Sequence, residues 1–354
     1  MKLGIIGLPQ SGKTTIFNAL TRGDTPTTAS AGRIEIHTAV VDVPDPRLEA
    51  LSSMFKPKKT IYAKVTYADI AGLEGGALRQ AQGIPGQLLN QLAQMDGFLH
   101  VVRCFESELV PHPAGSVDPA RDVDTMLSEL LLNDLVAVER KLERLADERR
   151  KGGSDKATVE RQMALFERLQ ATLSENEPLR SMEFTPDELK ELSSYGLLSR
   201  KPILTVFNLG EGQNAPSVEL DHNSVALQGK LEMELAQLPA EDAALFMEEY
   251  GIEELSLNKM IGLSYDLLQV QSFFTIGDDE VRAWTLRRGG TAYEAAGTVH
   301  TDLQKGFIRA EVIPVEELVA LGSMNEAKAK GKLRLEGKEY SVKDGEIVHI
   351  RFNI

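Results

Sequence analysis

Gly7-Leu8-Pro9-Gln10-Ser11-Gly12-Lys13-Thr14 is the stretch on which the reading of this chain turns. Met1 to Ile6 before it is a short apolar run with strand character, and Thr15-Ile16-Phe17-Asn18-Ala19-Leu20 after it has helical spacing of apolar residues. The pattern is G-x-x-x-x-G-K-S/T between a strand and a helix, the context in which it predicts a phosphate site. Glycines at 7 and 12 let the backbone turn tightly and let a phosphate approach without meeting a Cβ. The helix that opens there adds its positive N-terminal end. Lys13 has the reach to neutralise β- and γ-phosphates, and the Thr14 hydroxyl suits a Mg²⁺ bridging them. The candidate nucleotide-binding residues here are Gly7, Pro9, Gln10, Ser11, Gly12, Lys13, Thr14 and Thr15. Lys13 is also a catalytic candidate.

Working outward, Gly23 to Gly32 is small, polar and turn-rich, placed where P-loop switches keep the loop that senses the γ-phosphate. Ile34 to Val43 predicts a strand, Arg47 to Phe55 a helix, and Ala63 to Ile70 a second strand. That strand runs into Asp69-Ile-Ala-Gly72, about 55 residues beyond Thr14. A carboxylate at a strand end beside the P-loop predicts a second metal group, so Thr14 and Asp69 are the metal candidates. Gly72 allows its N–H to approach the γ-phosphate and is the second catalytic candidate. Gly72 to Gly86 is glycine-rich; a helix is predicted from Gln87 and a buried parallel strand over Gly97 to Phe105. Such β-α-β alternation implies a doubly wound sheet with ligands at the C-terminal strand ends.

From Val123 the texture changes. Val123, Met126, Leu127, Leu130, Leu131, Leu135, Val138, Leu142 and Leu145 mark one long helix, and Val159, Met163, Phe166, Leu169 and Leu173 mark another. Lys151-Gly-Gly-Ser154 between them suggests a coiled-coil hairpin, with two ordinary packed helices as the alternative. The sheet resumes at Lys201 to Asn208, followed by Leu209-Gly-Glu211. That is where GTPases carry Asn-Lys-x-Asp for guanine, so Asn208, Leu209 and Glu211 are the base-contact candidates. Glu in place of Asp and Leu in place of Lys weaken the case for guanine. From Ser272 on, short strands separated by Gly, Asp and Pro turns predict a small α+β domain of about 80 residues. The domains expected are 1–122 and 197–271 for the α/β part, 123–196 for the helical insertion and 272–354 for the terminal domain.

Composition limits what such a chain does. Its 354 residues carry a net charge of −14, which opposes non-specific binding to nucleic acid or anionic membrane. The excess is uneven: Ser272 to Ile354 holds 12 basic and 13 acidic residues, so a local basic face there remains open. No apolar run approaches the roughly 18 residues that would mark a membrane span. Because Met1 leads straight into a strand, no secretory signal is expected, and the single cysteine, Cys104, excludes an internal disulfide. A cytoplasmic setting is expected.

The P-loop GLPQSGKTTIFNAL, VPDPRL, DIAGL, HVVRCFE, VDP, the NLGE loop and AWTLRRGGTAYEAAGTVHTDLQKGFIRAEVI resemble the YchF-type Obg-like ATPases along the whole chain. The resemblance implies a P-loop G domain, a coiled-coil insertion and a C-terminal TGS domain with a β-grasp fold. It also implies ATP (rather than GTP) with Mg²⁺ and association with the ribosome or a translation factor. RNA contact through the TGS domain or coiled coil is possible on this reading. Leu73 matches the family's apolar residue in place of a catalytic glutamine. The chain departs from the family pattern at Gln10, Thr14, Arg33, Leu78, Gly83-Ile-Pro-Gly86 and Gln228-Gly-Lys230. Slow hydrolysis dependent on a partner is therefore expected, with a scaffold of negligible turnover as the alternative and a metabolic kinase less favoured.

Overall fold

The computed structural model describes all residues except 26–35, 71–83, 153–154, 214, 250–251, 253, 278 and 354. Along the chain the elements are β1 (Lys2–Ile6), α1 (Lys13–Thr21), β2 (Ile36–Asp42), α2 (Pro46–Phe55), β3 (Lys59–Ile61), β4 (Lys64–Ile70), α3 (Gly86–Ala93), β5 (Gly97–Arg103), α4 (Pro119–Lys151), α5 (Lys156–Ser174), α6 (Pro186–Leu192) and β6 (Ile203–Asn208). They continue with β7 (Ser224–Leu227), α7 (Gly229–Gln237), α8 (Ala240–Glu249), α9 (Ser256–Leu267), β8 (Val270–Ile276), β9 (Glu280–Arg287), α10 (Ala292–Val299), α11 (Thr301–Lys305), β10 (Phe307–Pro314), α12 (Val315–Leu321), α13 (Met324–Ala329), β11 (Arg334–Glu336) and β12 (Glu346–Phe352). The chain divides into two compact units, Met1–Ala39 with Thr66–Leu257, and Val40–Val65 with Asn258–Ile354.

In the first unit the described strands form a sheet in the order β2-β4-β1-β5-β6-β7, parallel from β4 to β7. Central parallel strands are covered on both faces, which is why β1 and β5 are mostly apolar and β5 is buried along its whole length. Phe98, Leu99 and Val101 of β5 are fully buried. From β1 the chain leaves toward β4, and from β5 it leaves toward β6. The crevice between β1 and β5 is thus the topological switch point, where ligands of such sheets bind. Ile70, Leu88, Leu92, Met95 and Phe98 pack into one core with Met126 and Leu130 of α4.

That last contact explains the helical hairpin. The N-terminal half of α4 is rooted in the sheet's core, while Val138 and Leu145 pack with Phe166, Leu169 and Leu173 of α5. Asp118 caps α4 by accepting from Arg121 N, Pro119 takes the first helical position, and Gly152 closes the helix in the left-handed region. Asp134, fully buried, accepts from Leu198 N (2.9 Å), Ser199 N (2.7 Å) and Ser199 Oγ (2.6 Å), tying the hairpin to the chain that leads into β6.

In the second unit the order is β11-β10-β12-β8-β9-β3. An antiparallel β8–β9 hairpin, a parallel β8–β12 pair, antiparallel β10 beside β12 and the helix α10 packed on β9 and β10 make a β-grasp arrangement. Thr291 and Glu294 form a reciprocal capping box at the start of α10. Here the organisation departs from the sequence expectation, which keeps residues 40–65 with the P-loop part. β3 pairs with β9 as Lys59↔Glu280 to Ile61↔Arg282, and α2 packs on β9 and α12. Arg47 donates to Asp45 and, at 2.6 Å, to Asp344, and its guanidinium lies 5.4 Å from the Phe274 ring centre. The open backbone edge of β9 accepts β3 whatever its distance along the chain. Among the described residues no helix is long and apolar enough to cross a membrane.

Candidate functional site

The P-loop follows β1 at the switch point. Gly7 is the first residue after the strand, and a Cβ built on it would lie 2.4 Å from Val101 O of β5. Gly12 holds φ 95°, and a Cβ there would lie 2.2 Å from Asn208 Nδ2. Both glycines are therefore required by a close approach as well as by backbone conformation. Lys13, 3% exposed, folds back so that Nζ donates to Leu8 O (3.0 Å) and Gly7 O (3.2 Å). Gln10 is exposed with φ 61°, Pro9 and Thr15 are half-buried, and Ser11 Oγ is buried with no hydrogen-bond partner among the described residues. A loop with a buried lysine at its rim and a helix N-terminus at its base has the backbone N–H groups and positive charge that a polyphosphate site requires.

The predicted metal pair meets. Thr14 Oγ1 donates to Asp69 Oδ2 at 2.8 Å, because β1 and β4 run in parallel register with Ile5 opposite Asp69. Asp69 is 2% exposed. Gly72, Leu73, Leu78 and Gly83 of the second switch stretch lie outside the described residues, as do Thr27, Thr28 and Arg33 of the first. Thr38 is an exposed residue of β2. His100, on β5, is pushed down to about 3 by its burial and further by the charges of Lys13 and Arg180, so it is neutral at physiological pH.

Asn208 ends β6 and is 4% exposed. Its Nδ2 donates to Ser11 O (3.0 Å) and its Oδ1 accepts from Gly229 N (3.0 Å). One side chain thereby locks the P-loop to the turn that opens α7, and a Cβ on Gly229 would lie 2.7 Å from Asn208 Oδ1. Leu209 follows Asn208. Its side chain is 7% exposed and packs with Val102, Cys104 and Phe207 in a small core at the root of the loop. Burial drives an apolar side chain at this position inward. Glu211 is exposed on a turn held by Gly210 N to Gln213 Oε1 (2.9 Å) and Gln228 Nε2 to Gln213 O (3.2 Å). Sequence reasoning does not single out either glutamine for this stitching, since nothing in local pattern brings 213 to 228. Phe105 is the other residue to which the sequence assigns no role. A Cβ on Gly210 would lie 3.3 Å from Phe105 Cβ, so this ring side chain stands against the Asn208 loop. Cys104, beside it, has its thiol pushed up to about 12 chiefly by burial and is no nucleophile.

A doubly wound parallel sheet with this cradle and the Thr14–Asp69 pair is a P-loop nucleoside triphosphatase. The comparisons with known proteins narrow the class. Residues 2–141 match the family model described as "50S ribosome-binding GTPase", and residues 270–353 match the model YchF-GTPase_C, described as a protein of unknown function. The protein named "Ribosome-binding ATPase YchF" of Haemophilus influenzae is 41% identical over 100% of this chain and 99% of its own length. Its Bacillus subtilis namesake is 39% identical over 99% of each. The YchF GTPase structure of Schizosaccharomyces pombe superposes with a TM-score of 0.81 at 30% identity, covering 99% of this chain and 97% of that one. The chain belongs to the YchF family.

Proposed function

We propose that this protein is an ATP-hydrolysing switch that works on the ribosome in the cytoplasm. The observation that carries the reading is the Asn208 tie, which joins a complete triphosphate cradle to the strand-end loop where P-loop proteins recognise a base. The relatives' shared name supports ATP and the ribosome as substrate and partner. The purine is seated between the Asn208–Gln213 turn and Phe105, and ATP is preferred over GTP. A guanine needs a carboxylate fixed in plane to accept two hydrogens, and exposed Glu211 has a longer, freer side chain than the aspartate used for that purpose.

Mg²⁺ fits the residues present. Thr14 and Asp69 already converge, and magnesium on a triphosphate needs only one or two protein oxygens. Bound there, it would supply charge neutralisation at the phosphates. Lys13 carries the same burden from the loop side; Gly72, the other catalytic candidate, lies outside the described residues. The P-loop part is the unit of Met1–Ala39 and Thr66–Leu257, with α4 and α5 as its helical arm, and the unit of Val40–Val65 and Asn258–Ile354 carries the TGS-like domain; the arm and that domain are the surfaces offered to the partner. Intrinsic hydrolysis is slow and is raised by the partner. Single-turnover ATP hydrolysis with and without ribosomes tests this. A rate on the order of 1–100 s⁻¹ for the protein alone, unmoved by ribosomes, overturns the switch; no turnover in either condition leaves a nucleotide-binding scaffold.

A further inference from the structure

Arg103 is the last residue of β5, 1% exposed, and pairs in register with Asn208 of β6. Its Nε donates to Phe105 O at 2.9 Å and its Nη2 to Val110 O at 2.7 Å. The guanidinium carbon lies 4.5 Å from the Phe105 ring centre. Nη1 is buried without a hydrogen-bond partner among the described residues. Burial lowers the pKa of this group, with Glu106 and Asp122 acting in the opposite direction.

As a stabiliser this is a poor arrangement. A buried cation with an unsatisfied nitrogen is commonly matched or bettered by an apolar side chain of similar volume. What an apolar side chain cannot do is hold two carbonyls, at 105 and 110, in fixed directions. Those two bonds set the path of the chain as it leaves β5. Cys104 N donates to Asn208 O at 2.9 Å in the same place, so the start of the Phe105 segment is fastened directly to the strand that carries Asn208.

We propose that Arg103 is a positioning residue for purine recognition, holding Phe105 as the apolar wall that faces the Asn208–Gln213 turn. It touches no substrate and acts through Phe105. The inference rests on the base-side reading given under the proposed function. Arg103 therefore affects the base and leaves the phosphates alone, which separates it from Lys13.

The test is calorimetric titration of the full-length protein with Mg·ATP and, separately, with inorganic triphosphate, which uses the cradle but has no base. Arg103→Met should bind ATP about tenfold more weakly, the scale of one aromatic ring withdrawn from the base, and should bind triphosphate like the wild type. Arg103→Lys, able to reach one of the two carbonyls, should fall between them. Equal loss of both ligands in Arg103→Met, wild-type ATP affinity, or a lysine variant no better than methionine each overturns the clamp. Phe105→Ala keeps the two claims apart. Wild-type ATP affinity there removes the base wall itself, whereas weakened ATP in Phe105→Ala beside unchanged ATP in Arg103→Met sinks only the role of Arg103.

Discussion

The phosphate cradle and the Asn208 loop lie at the ends of β1 and β6, on either side of β5, yet they are assembled in opposite ways. The cradle is eight consecutive residues, Gly7 to Thr14, with one outside carboxylate, Asp69. The Asn208 side gathers Arg103 to Phe105, Asn208 to Gln213 and Gln228 to Gly229, three segments far apart in the chain. In the first, chemistry is dictated by local backbone geometry, so a motif describes it. In the second, each side chain has its role only because β5, β6 and β7 are parallel neighbours. The contrast teaches that the phosphate half should fail sharply when one residue changes, and the base half by smaller steps.

The largest effect is expected where the halves touch. Gly12→Ala places a Cβ 2.2 Å from Asn208 Nδ2 at φ 95°. The left-handed backbone alone costs an alanine about 1–2 kcal/mol, and moving Asn208 opens both of its ties. ATP affinity should fall by more than about a hundredfold, and the Mg·ATP titration of this variant measures it. Retained affinity would mean that the close approach is not needed for binding.

Next comes Lys13→Ala. A charge-assisted contact contributes about 1.5–3 kcal/mol, so affinity for ATP and for inorganic triphosphate should fall together by about ten- to a hundredfold. A loss confined to ATP would move Lys13 from the phosphate half to the base half and break the comparison.

Asn208→Ala should show itself first as instability. It leaves Ser11 O and Gly229 N buried without their present partner, at about 1–3 kcal/mol each when unsatisfied. Denaturant unfolding should report a loss of at least about 1 kcal/mol, and ATP should weaken more than triphosphate. An unfolding midpoint at the wild-type value would show that water or a neighbour replaces both ties.

The smallest change is expected from Glu211→Gln. The side chain is exposed, and substitutions at such positions usually stay within about 0.5 kcal/mol. ATP affinity should shift by less than about threefold, with ATP still tighter than GTP by calorimetry. A large gain for GTP would give Glu211 a direct part in base discrimination.

What could be read without a structure follows the same division. The amino-acid sequence by itself determined the P-loop, the strand that bears Asp69, the two long helices and the β-rich C-terminal region, because each rests on a short-range period or on a motif whose geometry is local. The order of strands, and everything that depends on it, was decided by tertiary structure. Three residues, Lys59-Thr-Ile61, carry too little pattern to announce a strand, and only the free edge of β9 made them one, drawing residues 40–65 into the C-terminal unit. The packing of Leu209 against its neighbours in β5 and β6 is likewise set by strand order. Nothing in the sequence assigns Phe105, Gln213 or Gly229 the contacts they make, for those contacts run across more than one strand. Backbone hydrogen bonding and apolar burial select partners by proximity in space, and a one-dimensional pattern records that proximity only where it coincides with proximity along the chain.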